Sequence, residues 1–334
     1  MKLRNKILLL FFLFFIKSIL LFAQESEYPA WIYLEKGKSA LENRQKSRAL
    51  DYLFKAIELQ KNYPEAEYWL GRVYEAQGQK DLAFEQYRRA IDLSLYLRTP
   101  QDLINYKYSL ASLLLEQGEK EKREAELILY SILDSNGENT PEKINLVHRY
   151  INTVAENGPD ELLFLYRDSL GPSLKARRML GEISWNNGEY RTSLLNSTLV
   201  FLSLLSSSAD MYHYKYPSWR FDIDPVKDPE YPDRDVRYPS AYDGTRDLIN
   251  RIYTGEPEIR KYLENTGFWP QLYLMSISLY SLGFKDSAES VWKLMTEYDE
   301  YENVYKPVEY AGIWGNLSAE QLKKPFITNG SIVP

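Results

Sequence analysis

Residues 64–97 read PEAEYWLGRVYEAQGQKDLAFEQYRRAIDLSLYL, and residues 30–63 just before them read AWIYLEKGKSALENRQKSRALDYLFKAIELQKNY. At an offset of 34 residues, Gly37, Ala49, Ala56 and Leu59 fall on Gly71, Ala83, Ala90 and Leu93, and Leu53 falls on Tyr87. A fixed offset shared by several residues at once marks an internal repeat. Each unit reads as helix, short turn, helix. Gly71 and Ala83 are small where two antiparallel helices approach, Leu70, Tyr74 and Tyr87 fill the space beside them, and Ala90 lets the next unit dock. Gly78, within Ala76-Gln77-Gly78-Gln79, supplies the left-handed residue that ends the first helix. Ala83, Tyr87, Ala90 and Ile91 then recur at helical spacing along the second.

Segment 64–97 resembles a tetratricopeptide repeat, with Leu70-Gly71, Tyr74, Gly78, Ala83, Tyr87 and Ala90 at that family's spacing. It departs in having Glu67 where a tryptophan is often found and in lacking the closing proline. Segment 30–63 matches through Tyr33, Gly37, Ala49, Leu53 and Ala56. Degenerate units follow at Tyr108-Ser109-Leu110-Ala111 with Leu114 and Gly118, at Leu180-Gly181 with Gly188 and Ser193, and at Ser276, Leu279, Gly283, Ala288 and Trp292. Thr99-Pro100 and Thr140-Pro141 are helix starts, a capping threonine followed by proline in the first turn. Segments 141–157 and 160–169 read as one more helical pair.

The resemblance implies an all-α chain, an α-solenoid of about five to six hairpins whose concave face is lined by the first helix of each repeat and binds a protein or peptide. Carried onto this sequence, that groove exposes Leu34, Lys38, Tyr68, Arg72, Tyr108, Arg178 and Trp185, with Leu41, Glu75 and Leu115 beside them. The paired lysine and asparagine with which some members clamp a peptide carboxylate are not matched, since Leu34 and Tyr68 stand where that clamp would begin.

The expected order is a targeting segment at 1–23, the helical array at 24–205, an irregular insertion at 206–245, further helices at 246–299 and a tail at 300–334. The insertion opens on Ser206-Ser207-Ser208 and carries Pro217, Pro225, Pro229, Pro232 and Pro239, a density that forbids a long helix. It is also rich in aromatics. Tyr214, Tyr216, Trp219 and Tyr231 form a second candidate surface, able to stack on a cell-envelope glycan or to plug the array's open end.

At the N-terminus, Lys2, Arg4 and Lys6 precede the apolar run Ile7 to Ile16, and Ala23 stands before Gln24-Glu25-Ser26. This is the pattern of a cleaved signal peptide. The rival reading is an inner-membrane anchor at residues 7–23, although Lys17 interrupts it and about 20 apolar residues are needed to span. Export to a periplasm is the expectation. Without residues 1–23 the chain carries 37 basic and 47 acidic residues, a formal charge of −10, so no nucleic-acid partner is expected. No cysteine is present, which excludes disulfides, thiolate metal sites and a cysteine-linked lipid.

Catalysis has little to stand on in the sequence. His148 lies mid-helix, and His213 sits near Asp210 in the aromatic stretch with no nucleophile motif such as G-x-S-x-G. The run Asp222, Asp224, Asp228, Glu230, Asp233 and Asp235 suggests calcium, but prolines and Lys227, Arg234 and Arg237 break up the tight oxygen loop that calcium needs. No phosphate loop or dinucleotide fingerprint occurs. The reading is a non-catalytic binding protein without cofactor or metal.

Overall fold

A computed structural model describes residues 28–160, 162, 170–219, 226–227, 235–236 and 243–325. Within these residues the chain is mostly helical and divides into two compact units, up to Gly118 and from Glu119 on. The targeting segment, Tyr231, most of the acidic run and most of 160–169 lie outside the described residues.

The first unit holds α1 (Ala30–Glu42), α2 (Lys46–Leu59), α3 (Pro64–Ala76), α4 (Lys80–Asp92) and α5 (Asp102–Leu115). Each helix packs on the next in chain order. The repeat is visible in the contacts themselves. A Cβ on Gly37 would come within 2.7 Å of Leu53 Cγ, and a Cβ on Gly71 within 2.6 Å of Tyr87 Cε1. The two pairs are related by the same 34-residue offset, so one close approach is built twice with different large partners. Leu53, Tyr87, Ala49 and Ala83 are wholly buried, and burying a side chain such as Leu53 contributes about 2 kcal/mol.

The turn between helices repeats as well. Gly78 adopts φ +77°. Its N–H donates to the Glu75 carbonyl, and the Gln79 N–H donates to that of Tyr74, both at 2.9 Å, the paired bonds that close a helix C-terminus. In the preceding hairpin the equivalent residue is Arg44, at φ +59°, with Gln45 donating to Ala40 at 2.8 Å and Arg44 to Leu41 at 2.9 Å. The left-handed conformation costs a side-chain-bearing residue about 1 kcal/mol, and here the closed turn enforces it. Helix α5 begins at Asp102, later than the Thr99-Pro100 start expected, because the Asp102 N–H first closes a turn onto the Thr99 carbonyl at 3.0 Å.

The second unit holds α6 (Glu119–Ser135), α7 (Pro141–Asn157), α8 (Leu174–Asn186), α9 (Tyr190–Lys215), α10 (Asp243–Gly255), α11 (Pro257–Thr266), α12 (Phe268–Ser281), α13 (Lys285–Leu294) and α14 (Gly312–Lys323). Thr140 caps α7, accepting from the Lys143 N–H at 3.3 Å, with Pro141 in the first turn as expected. Two short antiparallel pairs accompany the helices: β1 (Val226–Lys227) with β2 (Asp235–Val236), and β3 (Thr296–Asp299) with β4 (Val304–Pro307), Tyr298 opposite Tyr305.

The turn of the first unit returns twice here. Gly188 (φ +78°) links α8 to α9 and Gly283 (φ +94°) links α12 to α13, with Glu189 donating to Ser184 at 2.8 Å and Phe284 to Leu279 at 3.0 Å. Gly37, Gly71, Gly181 and Ser276 each stand seven residues before a left-handed residue and twelve before a small buried one: Ala49, Ala83, Ser193 and Ala288. The packing around these hairpins differs from the first unit. Helix α9 touches α7, α8, α11 and α12, and α12 touches α8, α9, α13 and α14. Among the described residues, α9 alone is long and apolar enough to cross a membrane, and 78% of that stretch is buried inside the protein.

Two expected boundaries move. The serine run at 206–208 does not end the array, because α9 continues to Lys215. Ser203, Ser206 and Ser208 are buried among Leu204, Leu205, Ala209 and Tyr212, and tertiary packing overrides their weak helix propensity. The expected tail is structured too, since the β3–β4 hairpin crosses the 299/300 boundary and α14 packs on β4. On the far side of the aromatic insertion, Asp160 fixes the start of α10. Its carboxylate accepts from the Gly244 N–H at 2.9 Å and the Thr245 hydroxyl at 2.5 Å, satisfying amides that a helix leaves free.

Candidate partner-binding surface

In the first unit a polar strip runs across the first helices of successive hairpins. Lys38 of α1 places its Nζ 2.7 Å from Glu35 and 5.6 Å from the ring centre of Trp69 on α3. One turn further along α3, the Arg72 guanidinium lies 6.0 Å from the same ring, so two cations flank one half-buried indole. Such contacts are worth about 0.5–1 kcal/mol each where exposed. Arg72 Nη1 donates to the Tyr68 hydroxyl at 3.3 Å, and that hydroxyl pairs with Ser109 Oγ of α5 at 3.2 Å. Glu75 sits 3.6 Å from Arg72 Nε and accepts from the Tyr87 hydroxyl. Burial pushes the Tyr87 hydroxyl far above the usual phenol range, and the hydrogen bond to Glu75 pushes it the same way. The tyrosine therefore stays neutral and donates.

The strip is chemically mixed. It offers guanidinium and ammonium donors for a carboxylate or carbonyl, an indole face for an apolar or aromatic group, and carboxylates at Glu35 and Glu75 for a cation. Arg72 is 45% exposed at its side chain and Lys38 27%, enough for both to meet an incoming group. Trp69 was missed by the sequence reading, although a tryptophan one turn before an exposed position on a first helix is a usable signal.

Four expected groove residues are instead core. Leu34, Tyr68 and Tyr108 are buried in the first unit and Trp185 in the second. Leu34 joins Leu53, Tyr63, Ala66 and Leu70 in one cluster. Tyr68 stacks on Tyr106 with ring centres 4.2 Å apart, and its ring is only 5.5 Å from that of Tyr87. Trp185 lies 4.9 Å from the Tyr190 ring. Bulk at helical spacing placed these side chains on the buried stripe, which is where an amphipathic helix puts its large apolar groups. Arg178, half-buried, lies across Gly267 so closely that a Cβ there would overlap its guanidinium.

The aromatic stretch separates into different environments. Tyr214 is almost fully exposed. Tyr216 donates to Glu256 at 2.5 Å and packs on Tyr212 at 4.8 Å, and Trp219 meets Tyr212 edge-on at 5.1 Å. Hydrogen bonds from Lys215 and then Tyr216 hold the Glu256 carboxyl below its usual range. Trp219 thus packs against the protein, Tyr216 is tethered to Glu256 but stays 39% exposed, and Tyr214 is the most exposed ring in the described part of this stretch. His213 Nδ1 lies 3.2 Å from the Trp219 carbonyl, and His148 is half-buried in α7.

No family model matches the chain. It is similar to an uncharacterized protein of Treponema pallidum (strain Nichols), 24% identical over 239 residues that cover 70% of this chain and 57% of that protein. It is also similar to an uncharacterized protein of Borreliella burgdorferi, 23% identical over 322 residues that cover 88% of this chain and 92% of that one.

Proposed function

We propose that this chain is an exported, non-catalytic scaffold of the tetratricopeptide kind. In this reading its helical hairpins stack as an α-solenoid and hold a protein or peptide partner on the face made by α1, α3 and α5. The observation that carries the reading is the Lys38–Trp69–Arg72–Ser109 strip, which spans the first helices of consecutive hairpins. The four-fold recurrence of one turn geometry supports the repeat part of it. The mechanism is one of prepared shape. Side chains fixed by Tyr68, Ser109 and Glu75 lose little freedom on binding, so more of the contact energy remains as affinity, and an indole flanked by cations is a typical anchor composition.

The test uses the chain lacking residues 1–23, immobilised and exposed to a cell-envelope extract of the source cells. A retained protein that is lost when Lys38 and Arg72 are both changed to alanine, with helix content unchanged by circular dichroism, supports the proposal. Retention indifferent to these substitutions, or turnover of an envelope substrate, would overturn it.

A further inference from the structure

The β3–β4 hairpin of the second unit is anchored at its base and bare at its tip. At the base, Thr296 is buried and its hydroxyl donates to the Trp292 carbonyl at 3.2 Å. Beside it the Val308 N–H donates to the Met295 carbonyl at 3.2 Å. The tip is held as firmly. The Asp299 carboxylate accepts from the Tyr301 and Glu302 N–H groups at 2.8 and 3.1 Å, and Lys306 Nζ lies 2.7 Å from both Asp299 and Glu302. Tyr298 packs on Tyr305 with ring centres 5.1 Å apart and donates to Asn303, a turn residue at φ +56°. This ordered turn carries Tyr301, whose side chain is fully exposed. Three residues to either side, Tyr298 and Val304 are also exposed, by 46% and 40%. Glu300 and Glu302 bracket Tyr301, and residues 296–307 hold four acids against one lysine. Lys306 is shared between Asp299 and Glu302, which leaves Glu300 exposed and without an ion pair among the described residues.

We propose that this tip is a docking knob: Tyr301 enters an apolar recess on a protein partner, and Glu300 meets lysine or arginine side chains at its rim. Shape selects a macromolecule, because small ligands are held in concave sites and a projecting tip needs the recess on the other side. Charge selects a basic rim. The excess of acids repels phosphate backbones and anionic lipid headgroups, and it steers and aligns a positively charged surface. The rings of this hairpin already accept an ammonium group, since Lys293 Nζ lies 5.7 Å from the ring centre of Tyr305. A tyrosine has few rotatable bonds, and a turn that is already fixed loses little freedom when it docks. The knob belongs to the second unit and does not rest on the reading of the strip in the first.

The probe is a benzophenone amino acid placed at Val304 of the full chain and irradiated in the source cells. The expected product joins this position to a segment of another protein in which lysine and arginine outnumber the acids. Tyr301→Ala and Glu300→Lys, each made in the labelled chain, should lower its yield about tenfold, the effect of losing one anchor contact. The same label at Leu95, which is 95% exposed in the first unit, should not give this product. Tyr301 and Glu300 are both exposed, so the two variants should keep the melting temperature of the labelled parent. Cross-linking to a second copy of this chain alone, an acidic partner segment, or no cross-linked protein would each overturn the proposal. So would the same product from Leu95, or a yield indifferent to either substitution.

Discussion

The two units use the same hairpin and surround it differently. In the first, each helix touches its chain neighbours, and the closest approach is made inside the hairpin, glycine against Leu53 or Tyr87. In the second, the equivalent hairpins are pressed together by remote segments. A Cβ on Gly181 of α8 would lie 3.3 Å from Leu274 Cδ2 of α12, and Ser193 of α9 shares a hydrogen bond with Ser278 of α12 at 3.1 Å. A repeat whose contacts are local can keep its sequence signature, because each contact constrains residues a fixed distance apart. Once a remote helix supplies the neighbour, the side chain opposite a small residue is selected by that helix, and the signature fades to its turn.

The largest test of this difference is Trp292→Ala. Trp292 is wholly buried, and its ring lies 5.6 Å from that of Tyr280. The substitution is expected to cost about 4 kcal/mol. In hydrogen exchange the loss of protection should extend over α7, α9, α12 and α13 together. Tyr87→Ala, by contrast, should loosen α3, α4 and their immediate neighbours, as in a linear array. Equal spread in both units would break the comparison.

Gly71→Ala and Gly181→Ala sharpen it. The first puts a methyl 2.6 Å from a rigid ring and 3.3 Å from the Ala83 carbonyl, an overpacking worth about 2 kcal/mol of lost stability. The second meets a flexible leucine methyl at 3.3 Å, and the better helix propensity of alanine offsets most of that. Urea unfolding of both variants reads the contrast.

A smaller effect separates the turns. Arg44→Gly should stabilise by about 1 kcal/mol by relieving the left-handed backbone, whereas Gly78→Ala should destabilise by about the same amount. Thermal melting decides the signs.

The smallest effect is electrostatic. Burial raises the Glu182 carboxyl above its usual range, while Arg178 opposes the shift. A carboxyl raised on folding opposes stability while ionised, and that penalty fades as pH falls through the raised folded value towards the unfolded one. Glu182→Gln should therefore be the more stable protein at neutral pH by under about 1 kcal/mol. It also offers an N–H to Gln271 Oε1, which has no partner among the described residues. The advantage should shrink on mild acidification, measured as the difference in urea midpoint between variant and wild type.

These contrasts also explain what the sequence made legible. The hairpins of the first unit could be read because Gly37 and Gly71 have no alternative that fits. Arg44 hid the turn's equivalence, since a left-handed residue is sought among glycines. The course of α9 past Ser206 was hidden because its packing against remote helices decides it. At the candidate surface, Lys38 and Arg72 were read as outward-facing because charge on a helix face points outward, and both are partly exposed. Tyr68, Tyr108 and Trp185 were misplaced because a large aromatic at helical spacing serves a core or a groove equally well. Arg177 was overlooked, yet its spacing with Leu180, Gly181 and Ser184 set a charge on the buried stripe, where it pairs with Glu138 and Asn196.

Helix α9 also sets an order of events while the chain is being made. It is complete once Lys215 has emerged, but the helix that covers much of it, α12, begins only at Phe268. For roughly several seconds of synthesis, a segment with the length and hydropathy of a membrane span exists with much of its covering still to come. The first unit, by then fully made from local contacts, folds without waiting. A shielding factor that engages nascent apolar helices would thus act on the second unit alone, and shortening the interval by circular permutation should lower the demand for it.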